Sequence, residues 1–263
     1  MMRTWLAFAT VLHAAVGQAQ VVVHVDTVRA ERPWPPREVY DFPRVVLADR
    51  PAVADRINKY LCVEMLEVDP DTAEGPALFG RVWGDTVSGW MPRLNYLSWQ
   101  VGRPRASVLQ VDMAGEGCGA YCEGFETTFL FDLRDGRHLA FDTLFTAAGA
   151  ADVRDTLGAL WATRLGSYVD SLEQALVSGV PGPEEADHLR GTIALYRTCL
   201  EERGEGPPHV HRVSLEPGAL RCWIPRCASH VDQALDDLDP LSFLLPFAWC
   251  GSRFRPDVHV LFD

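Results

Sequence analysis

From residue 94 onward apolar and polar positions alternate, which is the period of a half-buried strand. NYLSWQV, a turn at GRPR and ASVLQVDMA read as a hairpin. FETTFLFDL and HLAF, joined by RDGR, extend it into an antiparallel meander, with Asp135-Gly136 supplying the tight turn. The alternation predicts a buried face of Phe129, Phe131 and Leu133, with Thr128, Leu130 and Asp132 on the other. Nearer the N-terminus, VVVHVDTV reads as a strand and ERPWPPREVYDFP as an extended proline-rich linker. Residues 44–47 read as a second short strand and 69–92 as loop.

Elsewhere the period changes to that of a helix. Pro51 sits where a first-turn proline would, and Val53, Ile57, Leu61 and Met65 recur at i+4, predicting a helix to about residue 66. A long helix is predicted over 152–176, with Val153, Leu157, Leu160, Trp161, Leu165, Tyr168, Leu172 and Leu176 as its apolar stripe. Pro181-Gly182-Pro183 breaks it, and a second helix follows over 184–202. HRVSLEPGALRCWIP reads as a hairpin turning at Pro217-Gly218. Short helices are predicted over 230–238 and 241–249, with RPDVHVLF as a closing edge strand. The expected fold class is α+β, an antiparallel sheet (meander plus C-terminal hairpin) packed by two long helices.

The first nineteen residues change the picture of compartment. MMRTWLAFATVLHAAVGQA has one basic residue, an apolar run from Trp5 to Val16, and small Gly17 and Ala19 at the positions a signal peptidase reads. The run is too short to span a bilayer, and no later stretch supplies a span. The expected organisation is a signal peptide over 1–19 and a single exported α+β domain over 20–263, periplasmic or secreted. The formal charge of −12 becomes −13 once Arg3 leaves with that segment. Such a charge argues against nucleic acid, which needs a basic patch. In an oxidising compartment the seven cysteines are read first as disulfide partners, and an odd count leaves at least one unpaired or paired between chains. Cys222 and Cys227 can close a short loop. Cys118 and Cys122 can do the same, or each can reach Cys62 or Cys199.

The densest concentration of unusual residues is GEGCGAYCEG, residues 115–124. Its opening matches a dinucleotide fingerprint formally, but a strand follows where a helix N-terminus would have to hold pyrophosphate. The glycines are read instead as permitting positive φ in a loop. Cys118 as a nucleophile would need a base such as His138, His209, His211 or His230, and no local signature supplies one. Zinc would require further paired cysteines that the spacing does not offer. His209 and His211 share one strand face and can chelate a metal, but no third ligand is identifiable. Asp112, Glu116, Glu123, Glu126, Asp132, Asp135 and Asp142 are read as a solvated sheet face, although Asp112 and Glu126 fall on neighbouring strands as glycosidase carboxylates would. Trp83, Trp90 and Trp99 suit a core or a carbohydrate groove. No catalytic residue, metal site or cofactor is predicted.

The order YLSWQV, turn, SVLQVDMA, a small-residue loop with GAY, then TFLFDLRDGRHLAFDTLFT, with VYDFP and INKYL before it, resembles one bacterial family. It is an uncharacterised domain found in the extracytoplasmic half of lysozyme-sensing anti-sigma factors and beside peptidoglycan deacetylase domains. This chain departs from it in lacking a membrane span and in carrying two cysteines around GAY. The resemblance implies a non-catalytic α+β module that binds an envelope protein or glycan, and it brings no catalytic residues. The expected contact surface is Gly119, Ala120, Tyr121 and Glu123. The competing expectation is a secreted hydrolase acting on envelope polymers.

Overall fold

The computed structural model describes residues 23–34, 37–84, 93–102, 107–119, 122–179, 182–202, 209–228, 232, 235–238 and 240–262. The signal-like segment lies outside them.

Five strands form the larger sheet in chain order: β1 (His24–Glu31), β2 (Val39–Val46), β3 (Leu94–Val101), β4 (Val108–Cys118) and β5 (Cys122–Asp132). Neighbours are antiparallel except β2 and β3, which run parallel and meet at Tyr40 and Leu97. The smaller sheet is antiparallel: β6 (Arg212–Glu216), β7 (Ala219–Ile224) and β8 (Leu241–Pro246). Among the described residues six helices accompany them: α1 (Pro51–Leu66), α2 (Phe141–Leu144), α3 (Ala147–Ser178), α4 (Pro183–Glu202), α5 (Phe247–Cys250) and α6 (Pro256–His259). A 3-10 turn spans Gly75–Phe79. The α+β class expected from the pattern is the one observed, with its strands divided between two sheets. Among the described residues no helix is long and apolar enough to cross a membrane.

Side-chain parity on β4 and β5 separates two hydrophobic clusters. Leu109, Val111 and Met113 face the same way as Phe129 and Phe131, and with Leu133 they pack with Ile57, Leu61 and Leu66 of α1. Val108 and Leu130 face the opposite way, into a cluster with Val153, Leu157, Trp161 and Leu165 of α3, Ile193 and Tyr196 of α4, and Leu215 and Leu220 of the small sheet. The lower half of β5 is therefore covered on both faces. Asp132, expected on an open face, has no solvent exposure and accepts hydrogen bonds from the backbone N–H and guanidinium of Arg134. Arg137 links the same turn to Asp257 of α6 at 2.6 Å. The turn tolerates no side chain at Gly136, where φ is +77° and a Cβ would lie 2.8 Å from the Val53 carbonyl oxygen.

Several elements depart from the expected pattern, each for a tertiary reason. The second half of the proline-rich linker is strand β2. Pro43 fits there because β2 pairs with β3 only near Tyr40, so no ladder on that side needs its missing N–H. Beyond that point Asn58 of α1 serves β2, accepting from the Val45 N–H at 2.8 Å and donating to the Val45 carbonyl at 2.9 Å. HLAF makes one bridge, His138 with Phe131, and then turns into α2. Residues 241–246 form strand β8 because β7 offers a free edge for LSFLLP, and the closing segment is the helical turn α6 rather than a strand. Helix α3 begins five residues earlier than expected, where Thr146 Oγ1 accepts from the Gly149 N–H. Its buried stripe includes Val169, whereas Leu160 is 41% exposed.

His138 is enclosed by aromatic rings, 4.5 Å from Tyr60, 5.7 Å from Phe131 and 5.8 Å from Phe129. Burial lowers its pKa from 6.5 to about 4. The unfolded chain therefore takes up a proton between those values that the folded chain refuses. Stability is full above pH 6.5, falls as pH drops toward 4 and then levels. The expected loss between pH 7.5 and 4.5 is about 2 kcal/mol, discounted for partial solvent access. Urea unfolding at the two pH values measures it, and His138→Gln is expected to flatten the difference.

Candidate functional site

The polar face of β3–β5 meets the small sheet across a cleft of about 420 Å³. Its floor is set by strand register. Asp112 stands opposite Thr128 and Ala114 opposite Glu126, so Gln110, Asp112, Glu126 and Thr128 lie on one face. Gln110 joins the two sheets. Its Oε1 accepts from the Leu215 N–H at 2.7 Å, and its Nε2 donates to both Asp112 carboxylate oxygens at 3.0 Å. Thr128 Oγ1 donates to Asp112 Oδ1 at 2.8 Å. From the facing sheet, Arg212 donates to Glu126 at 3.0 Å while its guanidinium lies 3.8 Å over the Trp223 ring. Only 12% of the Arg212 side chain is exposed, so stacking and the ion pair hold one geometry. Arg221 pairs with Glu216 at 2.9 Å beside it. Trp99 also lines the cleft.

The same face continues to the end of the β4–β5 hairpin. There Cys118 and Cys122, directly opposite in the ladder, form a disulfide. GEGCGAYCEG is thus mostly strand, and only 119–121 connect the two. Its described glycines do not take positive φ. Gly115 is needed for close approach instead, since a Cβ there would sit 2.7 Å from the Tyr96 carbonyl oxygen and 2.8 Å from the Phe125 ring, where the β3–β4 register shifts. Asn95 donates to Glu116 and approaches Cys122 Sγ at 3.4 Å.

Among the predicted contact residues, Gly119 and Glu123 are exposed at this end, and Ala120 and Tyr121 lie outside the described residues. With Cys118 bonded there is no thiolate to act as a nucleophile. Cys227 bonds to Cys199, joining the end of α4 to the segment after β7. The short 222–227 closure is not formed. Cys222 points into the core as a thiol, with its pKa raised to about 12 by burial. The two disulfides fit a chain that folds outside a reducing cytosol. His211, just before β6, is exposed, and desolvation by its neighbours lowers its pKa. Among the described residues neither it nor His209 joins a group of three metal-ligating side chains, whereas Glu116, Cys118 and Cys122 do form one. Trp83 belongs to the core, stacked on Phe79 at 5.7 Å, and Trp90 lies outside the described residues.

Gln110, Arg212 and Trp223 were not singled out from the sequence. A signal was present: Gln110 and Asp112 share the polar face of β4, and charged and aromatic residues alternate with apolar ones in the 212–224 hairpin. That hairpin could not be aimed at β4 without knowing how the sheets pack.

No family model matches the sequence, and no curated protein is significantly similar to it. Two solved bacterial structures are similar to this chain. A member of the DUF3298 family from Bacteroides fragilis NCTC 9343 superposes with a TM-score of 0.50 at 12% identity, covering 92% of this chain and 98% of that one. A DUF3298 family protein from Pseudomonas aeruginosa PAO1 gives 0.48 at 12% identity, covering 90% and 96%. The Bacteroides protein and this chain share a fold.

Proposed function

We propose that this chain is an exported, non-catalytic recognition domain. It binds a cell-envelope protein or glycan through the inter-sheet cleft and the adjoining hairpin end. The observation that carries this reading is that the carboxylates of the cleft are already engaged. Asp112 accepts from Gln110 and Thr128, Glu126 from Arg212, and Glu216 from Arg221. A pre-ordered polar surface flanked by Trp99 and Trp223 suits recognition of hydroxyls and amides. The signal-like first nineteen residues and the two disulfides support an envelope location. So does the resemblance to the extracytoplasmic half of lysozyme-sensing anti-sigma factors.

A second reading, a secreted hydrolase of envelope polymers, is favoured by one observation: Asp112 and Glu126 share a face on adjacent strands, as a carboxylate pair for glycoside cleavage would.

Co-sedimentation of the purified chain with insoluble murein sacculi, and its retention of detergent-solubilised envelope proteins, separate the two readings when soluble reducing ends are measured in parallel. The expected result is retention by one of these probes with no release of reducing ends. Arg212→Ala is expected to weaken retention about ten-fold, equivalent to about 1.4 kcal/mol. Tyr121→Ala tests the hairpin end separately. Release of reducing ends that stops in Asp112→Asn would replace this reading with the hydrolase. Retention unchanged in both Arg212→Ala and Tyr121→Ala would remove the cleft and the hairpin end as the contact surface.

A further inference from the structure

The end of the β4–β5 hairpin holds more ligating chemistry than a staple requires. The donor atoms of Glu116, Cys118 and Cys122 all lie within 4.8 Å of one another, and all three residues are partly solvent-accessible. We propose that reduction of the Cys118–Cys122 disulfide converts this end into a zinc site with two thiolates and one carboxylate as protein ligands. This goes beyond the recognition reading and does not depend on it.

Strand register brings the ligands together. Cys118 and Cys122 are cross-strand partners, and Glu116 projects from the same face of β4 two residues before Cys118. Opposite Glu116 stands Gly124, where even an added Cβ would find no atom closer than 4.0 Å, so nothing crowds the ion's position from that strand. Zinc bound by thiolates at about 2.3 Å and a carboxylate oxygen at about 2.0 Å needs donors about 3 to 4 Å apart. Opening the S–S bond and small side-chain rotations reach that spacing without moving the strands. Asn95 supplies the supporting contact: its amide donates to Glu116 and lies 3.4 Å from Cys122 Sγ. A hydrogen bond that fixes a ligating carboxylate is a regular feature of metal sites. Water completes the fourth position of a site this exposed.

The chemistry balances through thiol–disulfide exchange. A dithiol reductant attacks the disulfide, is itself oxidised to a disulfide, and leaves Cys118 and Cys122 as thiols after two exchanges. Each thiol then releases a proton on binding Zn²⁺ as thiolate. Two electrons and two protons pass from reductant to protein, and the two protons pass to solvent on metal binding. Oxidation reverses the sequence and expels the ion, so the site is occupied only under reducing conditions.

The test uses the purified chain, oxidised or treated with a phosphine reductant, dialysed against dilute zinc and assayed for bound metal. The reduced protein is expected to hold about one ion per chain that the oxidised protein does not hold. Replacing zinc by cobalt(II) is expected to give thiolate charge-transfer absorption. Cys118→Ser/Cys122→Ser is expected to abolish uptake, and Glu116→Gln and Asn95→Ala each to weaken it about ten-fold or more. Circular dichroism confirms that each variant is folded, and Glu116→Gln keeps the disulfide intact should the serine pair fail to fold. The proposal is overturned if reduced and oxidised chains bind equal zinc. It is also overturned if uptake survives Cys118→Ser/Cys122→Ser, which would place the metal on the remaining cysteines, including Cys199 and Cys227 freed by the same reductant.

Discussion

Replacing Gly149 by alanine is expected to destabilise the protein by about 3 kcal/mol. Helix propensity alone predicts the opposite sign, because alanine in a helix is favoured over glycine by about 1 kcal/mol. Packing decides. Gly149 lies in the first turn of α3 against the segment that follows α5, and a Cβ there would sit 2.3 Å from the Arg253 carbonyl oxygen and 2.9 Å from the Arg253 Cα. The obstacle is backbone, which cannot rotate aside as a side chain can. That backbone is itself fixed: Thr146 N–H donates to the Arg253 carbonyl at 3.0 Å, and Arg255 N–H donates to the Leu144 carbonyl at 3.0 Å. Phe254, between them, stacks on Phe145 at 5.1 Å within the core. Relief would have to break one of these contacts or shift the start of α3. Urea denaturation of wild type and Gly149→Ala measures the difference, and a stabilised variant would mean that α3 and the C-terminal segment do not approach so closely.

The second large effect concerns the cross-link between helix α4 and the segment after β7. Removing the Cys199–Cys227 disulfide as a double serine variant is expected to cost about 3.5 kcal/mol. The bond closes a loop with a sequence separation of 28, and the chain entropy restored to the unfolded state rises with the logarithm of loop length. The Cys118–Cys122 bond closes a separation of 4, and the same relation gives about 2 kcal/mol for it. Thermal or urea unfolding of the two double variants is expected to rank them in that order. The reverse order would show that the hairpin end anchors more of the fold than its loop length implies. A larger loss for Cys199→Ser/Cys227→Ser is also consistent with where the bond sits, since Cys199 is buried in the α3–α4 core.

The two effects illustrate how unevenly the fold could be read. Strands β3 to β5, helices α1, α3 and α4, and the turns at Gly136 and Gly218 were legible because each carries its own periodicity or turn chemistry within a short window. Strand β8 was not, because LSFLLP has no alternation and becomes a strand through the hydrogen-bonding edge that β7 presents. Residues 39–43 were masked by their proline, which is tolerated only because β2 is largely unpaired on one side. The hairpin end was recognisable as unusual, yet its glycines were misassigned to positive φ. Close approach to Tyr96 and Phe125, which explains Gly115, is a contact between side chains and backbone remote in sequence.

By itself the sequence determined the class of the fold, the polar character of one hairpin face and a pattern of cysteines suited to an oxidising compartment. These follow from local periodicity and residue chemistry. Only the tertiary structure decided which cysteines pair, that Asp132 is buried, and that Gln110, Asp112 and Thr128 face Arg212 and Trp223 across a cleft. Those outcomes depend on how two sheets and two long helices pack, and packing is set by the joint burial of surfaces remote from one another in the chain, as with Gln110 and Leu215.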